Sequence, residues 1–321
     1  MGKITKNLIG LWMSVFLLFT VAESGQCSGN QPMKMIAKRV QQLEQSQTVF
    51  KPVNVFSISG NQEDEKVSQT VNAFTLLDVN NTSVDALLQD QPEYIRIQLP
   101  AKAGLPTLEA LLYKVDISKN GFTLQTDKGI VNQLPNINVH YRGIIAGDYT
   151  SVVSMSFSKE EIMGILSDAR GNFVIGEIES SGRSRYLLYN DKDLIPAVSF
   201  GCGTNTSQVV TDYEQHQLQN NLPGIASVNC VNWYYETDYD VFVGKGSLAN
   251  VNTYMQGVFN QVATLYDNDG VSITLQTLFV WTTTDPYTGP STGDYLNQFG
   301  SFRTSFNGDL ANLIGYNGGG G

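Results

Sequence analysis

The sequence predicts an α+β fold: a β-rich, antiparallel domain over residues 25–200, followed by an incomplete α/β domain of βαβ type over residues 230–321. Three observations predict it. From Val53 to Val198, short runs rich in Val, Ile, Tyr and Phe are broken by turn residues about every ten positions. After residue 229 the pattern changes to apolar strands on either side of a long amphipathic helix. Between the two regions lies a polar segment, residues 201–229, whose Gln- and Asn-rich part, 207–229, is broken by Pro223-Gly224 and reads as a linker.

The first element is a targeting segment. Residues 1–24 place Lys3 and Lys6 ahead of an apolar run from Leu8 to Ala22, with small residues at Ala22 and Ser24. That is the pattern of a secretory signal peptide, with cleavage expected after Ser24. No later stretch stays apolar for the 18 residues a membrane span needs, so a secreted protein without a membrane span is expected. SGQC at 24–27 is similar to a lipoprotein acylation site, although Gln26 fits that signal poorly; lipid anchoring at Cys27 is the alternative to free secretion. The net charge is −10, from 20 basic and 30 acidic residues. An acidic chain meets phosphate with the wrong sign, which argues against nucleic acid or anionic lipid as partner.

In the first domain the expected strands include YIRIQLP (94–100), LEALLYKVDI (108–117), GFTLQ (121–125), SVVSMSF (151–157), EIMGILSD (161–168) and NFVIGEI (172–178). Asn120-Gly121 and Arg170-Gly171 are expected to turn hairpins, and a short helix is expected near Val84–Leu88. In the second domain, Val231–Val243 reads as one strand. Ser247 then caps a helix whose apolar positions Leu248, Val251, Met255, Val258, Val262 and Leu265 alternate three and four apart, predicting one buried stripe. Asp267–Gly270 stops that helix, and Val271–Trp281 is the second strand, expected to lie parallel to the first. A Pro/Gly/Thr loop (282–293), a helix near Asp294–Phe302 and a strand around Leu310–Tyr316 complete the pattern. Four glycines, Gly318–Gly321, follow that strand directly, which reads as a truncated end.

The residues that could do chemistry are few. His140 and His216 are far apart and neither has a second ligand at helical spacing, so they do not assemble a His-rich zinc site. A nucleophilic Ser or Cys would need one of these two as its base. His140, in the strand-like NVHYRG, reads as a core histidine, and His216 as a linker residue. GCG at 201–203 lacks the third glycine and the helix of a phosphate loop. Asp238 and Asp240, two apart on the expected strand, read as a solvated face or as ligands of a structural cation such as Ca2+. Cys27, Cys202 and Cys230 cannot all pair within one chain. Cys202 lies between Gly201 and Gly203, which lets its thiol approach another surface closely.

Two segments carry a resemblance. HYRGIIAGDYTSVVSMSFSKEEIMGILSDARGNFVIGEI (140–178) resembles the prodomain of the reprolysin or adamalysin-like (ADAM-type) metallopeptidases, members of the metzincin group. Residues 231–316 resemble the first half of that family's catalytic domain in its bacterial form, through ETDYD (236–240), the three-four helix and LFVWTTTDPY (278–287). NGDLANLIGYNGGGG (307–321) extends this match. The resemblance covers most of the chain from about residue 70. It departs from the family in lacking HExxHxxGxxH and the Met-turn, which the family would place several tens of residues beyond Gly321.

The resemblance therefore implies the N-terminal part of a secreted zinc metalloendopeptidase zymogen. The complete protein would use Zn2+ and a glutamate base on protein or peptide substrates, and no catalytic residue falls within this chain. It also implies an activating protease; the polar stretch with its Pro-Gly break, between about Ser207 and Asn229, is where the cut is expected. Cys202-Gly203 stands where the family places a cysteine switch, in which the thiolate takes the open zinc position. A Cys202–Cys230 disulfide is the competing expectation. A secreted, non-catalytic binding or adhesion module is the competing function.

Overall fold

YIRIQL alternates apolar and polar residues, and its burial alternates with it: Ile95, Ile97 and Leu99 are inside, while Arg96 and Gln98 are exposed. The same two-residue period builds most of the N-terminal region. The computed structural model describes residues 33–118, 121–132, 138–178, 185–195 and 230–316, all within the compact unit Met33–Gly321. The expected signal peptide, Cys27, Cys202, His216 and the 207–229 linker lie outside the described residues.

The N-terminal region contains α1 (Met35–Gln45), β1 (Lys51–Val53), β2 (Phe56–Ile58), α2 (Glu65–Ser68), β3 (Phe74–Val79), α3 (Asn81–Asp90), β4 (Tyr94–Leu99) and β5 (Leu108–Val115). It continues through β6 (Thr123–Thr126), β7 (Gly129–Ile130), β8 (Val139–Ile145), β9 (Asp148–Phe157), β10 (Ile162–Asp168), β11 (Gly171–Glu177) and β12 (Arg185–Asn190). Ten of these strands form one sheet in the order β1-β4-β5-β8-β9-β10-β11-β12-β3-β2. Only β1 and β4 pair in parallel; every other neighbour is antiparallel. The sheet curls until β2 comes near β4. Its inner face holds a core that includes Leu77, Ile97, Leu112, Tyr141, Met155 and Phe157. Helix α3 adds Val84, Leu87 and Leu88 to that core and is longer than the expected Val84–Leu88 because the Asn80 side chain caps it at Ser83 N. Arg170-Gly171 turns β10 into β11 as expected, with Gly171 at φ 131°.

The C-terminal region adds β13 (Cys230–Thr237), α4 (Tyr239–Lys245), α5 (Leu248–Asn268), β14 (Ser272–Val280), α6 (Thr292–Phe302) and β15 (Leu310–Ile314). Its sheet has the order β15-β13-β14-β6-β7, and β13 runs parallel to both β14 and β15. Mixed α and β structure, with a curled antiparallel sheet and a strand-helix-strand run, fits the α+β expectation.

Three local expectations are corrected. Asn120-Gly121 does not turn a hairpin within one sheet: β5 stays in the large sheet while β6 pairs in parallel with β14. The strand expected over Val231–Val243 stops at Thr237, because Asp238 accepts a hydrogen bond from Val241 N (3.0 Å) and so starts α4. Asp238 and Asp240 therefore share no strand face.

The third correction concerns α5. Val251 and Met255 are buried as expected, but Leu265 is exposed; the buried line runs instead through Phe259 and Ala263, against Trp233, Tyr235 and Leu275. A second face of α5, with Asn252, Thr253, Asn260 and Thr264, is buried as well. It lies on β8, β9 and β10 of the large sheet. Gly257 permits this approach, since a Cβ there would stand 2.6 Å from the Met163 sulfur. The α5 helix is thus covered by a sheet on each side. Beside it on the large sheet lies α1, whose Ile36, Ala37, Val40 and Leu43 pack on Leu111, Ile144 and Val152.

Candidate functional site

Two clusters bury polar side chains, and both are built by strand alternation. On β8 and β9 the inward residues Tyr141, Val153, Met155 and Phe157 fill the large-sheet core. The residues between them, His140 and Arg142 on β8 and Ser154 and Ser156 on β9, face the other way and pair across the strands. His140 Nδ1 lies 2.9 Å from Ser156 Oγ. Asn260 of α5 donates to Met155 O (3.1 Å) and to Ser156 Oγ (3.1 Å), and accepts from Arg142 Nε (3.3 Å). Arg142 Nη1 also reaches Asp267 Oδ2 at 3.2 Å. Burial holds His140 well below the ordinary histidine range, at about 4, with Gln256 opposing and Arg142 reinforcing the shift.

A serine beside a neutral histidine is the start of a nucleophilic dyad. Here it cannot serve as one, because the cavity lined by His140, Ser156, Glu161, Met163 and Thr253 has a volume of only about 10 Å³. That is room for roughly one water and for no substrate. His140 is the core histidine the sequence suggested.

The second cluster lies near the C-terminal end of β13. Glu236 is fully buried and accepts four hydrogen bonds: from Tyr234 Oη (2.9 Å), Trp281 Nε1 (2.7 Å), Tyr287 Oη (2.6 Å) and Arg303 Nε (2.7 Å). Burial would lower the Arg303 pKa, but its bond to Glu236 raises it above the usual value. Tyr234 and Tyr287 are both pushed up, first by burial and then by the Glu236 carboxylate. Phe279, Tyr287 and Phe299 enclose the group. With all four donors already engaged, this carboxylate organises the face of the small sheet and offers no free position to a ligand.

Ligands of open α/β sheets gather beyond the carboxyl ends of the parallel strands. At that place this chain has Asp238 and Asp285. Asp285 accepts from Tyr239 N and Tyr287 N, both at 2.8 Å. Burial raises the Asp238 carboxyl to about 6, and Asp285 and Asp240 add to the shift. Both carboxylates are engaged by backbone N–H groups. Among the described residues no three His, Cys, Asp or Glu side chains come together as a metal site. Among the described residues Cys230 has no disulfide partner, and its half-buried sulfur lies 2.9 Å from Thr274 Oγ1. The residues that sequence reasoning missed are Glu236, Asn260 and Arg142; each is polar and becomes internal only through contacts distant in the chain. A separate cavity of about 290 Å³ opens on the large sheet, between Ala73, Leu105, Phe173 and Leu188, with Arg170 and Lys192 in its lining.

No family model matches the chain, and no curated protein matches it. Among solved structures, metalloproteinase-II from Bacteroides fragilis is 10% identical, with 81% of this chain and 68% of that one covered and a TM-score of 0.33. A chaperone-substrate complex is 7% identical over 47% of this chain and 99% of that one, with a TM-score of 0.29. At these scores neither likeness carries an argument about activity. No helix among the described residues is long and apolar enough to cross a membrane.

Proposed function

We propose that this chain is the N-terminal part of a secreted zinc metalloendopeptidase precursor. Residues 25–200 form the prodomain, 201–229 the switch segment and linker, and 230–321 the beginning of the catalytic domain. The observation that carries the proposal is that the two segments bearing the family resemblance, 140–178 and 231–316, pack directly on one another. Arg142, in the Tyr-Arg-Gly of the first, binds Asn260 and Asp267 on the helix of the second.

The described residues do not fit a catalytic zinc. His140 is sealed in the core and the carboxylates at the end of β13 are already engaged, so no catalytic step is assigned to them. On this reading the zinc motif is supplied by sequence outside the 321 residues, and Cys202 is the inhibitory thiolate that the precursor would place on that zinc.

The test uses the full-length precursor. Uncleaved wild type is expected to be latent on casein, Cys202→Ala to be active without cleavage, and Cys230→Ala to stay latent. A reading frame without HExxHxxGxxH, or latency that survives Cys202→Ala alongside a Cys202–Cys230 crosslink, overturns the respective parts. The second reading, a secreted binding module, is favoured by the 290 Å³ cavity on the large sheet. It gains if the complete protein is inert on casein with zinc present.

A further inference from the structure

In the large sheet β5 and β8 are hydrogen-bonded neighbours, with Val115 opposite His140. A tight turn would connect two such antiparallel strands. Instead the chain between them leaves the sheet, and Ile117 and residues 121–131 of it lie against the other one. There β6 pairs in parallel with the outer edge of β14, Thr123 opposite Thr277 and Thr126 opposite Val280. Leu124 is buried with Ile117 in the small-sheet core. Leu275 N donates to Ile117 O at 3.0 Å.

The turn after β6 ends in a latch. Asp127 Oδ1 accepts from Thr282 N (2.9 Å) and Thr282 Oγ1 (2.6 Å), and its Oδ2 accepts from Thr283 Oγ1 (2.6 Å). Burial works against that carboxylate's charge, but these bonds hold its pKa down to about 2. The described residues of the excursion thus add no strand to the sheet that flanks it and supply the other with backbone pairing, an apolar anchor and a charge. Those are the parts of a strand-addition ligand. Without it, β14 would be an unpaired strand edge.

We infer that the outer edge of β14 is a strand-docking site for an extended polypeptide with an apolar side chain at the Leu124 position and a carboxylate three residues later. Residues 121–131 are its built-in occupant. A tethered occupant acts at an effective concentration of order mM, so a free segment binds only when the tethered one is withdrawn. The inference stands apart from the peptidase proposal, because its readout is binding and not activity.

The test replaces Ser118–Ile137 of the full chain with an Asn-Gly turn and titrates it with a fluorescent peptide of residues 121–131. Saturable binding to the variant, at least tenfold tighter than to the intact chain, is expected, as is its loss when the peptide carries Leu124→Asp. A folded variant that binds no better than the intact chain overturns the inference. Should the variant fail to fold, Leu124→Asp in the intact chain takes its place. Amide exchange at residues 277–280 should then quicken at least tenfold and be slowed again by excess wild-type peptide; exchange that the peptide leaves unchanged overturns it equally.

Discussion

The cluster around Glu236 and the cluster around Asn260 bury polar groups to a similar depth but satisfy them differently. Glu236 is a formal charge inside the C-terminal region, and four donors close on it. The Asn260 cluster lies where α5 meets the large sheet and consists mainly of amides, hydroxyls and an uncharged histidine. Each cluster has an atom without a hydrogen-bond partner among the described residues, Ser154 Oγ here and Arg303 Nη2 beside Glu236, but the Glu236 carboxylate itself is fully engaged. A buried charge is tolerated only when nearly every partner is present, whereas neutral groups tolerate gaps. The first cluster should therefore fail abruptly when altered, and the second by degrees.

The largest expected effect follows from removing the charge and leaving its donors. Glu236→Ala strands the Arg303 guanidinium, two phenols and an indole N–H in an apolar enclosure, at a cost of about 3–5 kcal/mol. Urea unfolding measures this as a lowered midpoint. Glu236→Met with Arg303→Met removes both charges and should recover part of the loss. A cost below about 1 kcal/mol for Glu236→Ala would mean that water reaches the cluster.

The two regions should also respond to acid with opposite signs. His140 titrates at about 4 in the folded chain and near 6.5 when unfolded. Between those values the unfolded chain holds the extra proton, so this contribution is complete above pH 6.5 and falls as pH drops to 4. Its ceiling is about 3 kcal/mol. Asp238, raised to about 6 from 3.8, holds its proton in the folded chain instead; its contribution is present below pH 3.8 and is lost as pH rises through 6. The wild type should thus change little between pH 4 and 6. His140→Gln should gain stability over that range on acidification, and Asp238→Asn, which keeps an α4 cap, should lose it more steeply than wild type. Parallel stability–pH curves for the three proteins would remove the distinction.

How far the sequence reveals this structure depends on how local each cause is. The strands of the large sheet are legible because alternation is written within six or seven residues, as in YIRIQL. The cap at Ser247 and the length of α5 are legible for the same reason. Helix α1 was also within reach, since Ile36, Val40 and Leu43 stand at i, i+4 and i+7. The inner roles of Glu236, Arg142 and Asn260 were not, because a polar residue on an amphipathic pattern reads as a solvent face until a second layer covers it. The docking of β6 was hidden similarly: Thr123 and Thr277 meet only through the tertiary fold. Cys202, which carries the proposed switch, is legible only through the family resemblance.

The smallest expected effect sharpens the contrast most directly. Ser154 is fully buried between Arg142 and α5, and its hydroxyl has no protein partner. Ser154→Ala removes that unpaired oxygen at almost no change in shape, so stability should stay level or rise by up to about 1 kcal/mol. Ser151, three residues earlier on the same strand, is the control. Its Oγ donates to Asp148 O (2.6 Å) and accepts from Ile145 N (2.8 Å). Ser151→Ala leaves a buried N–H without its acceptor and should cost about 1–3 kcal/mol. Urea midpoints of the two variants, taken at about pH 8 where His140 is neutral in both states, give the comparison. If Ser154→Ala costs as much as Ser151→Ala, the Ser154 hydroxyl is as fully satisfied as the Glu236 carboxylate, and the difference between the two regions disappears.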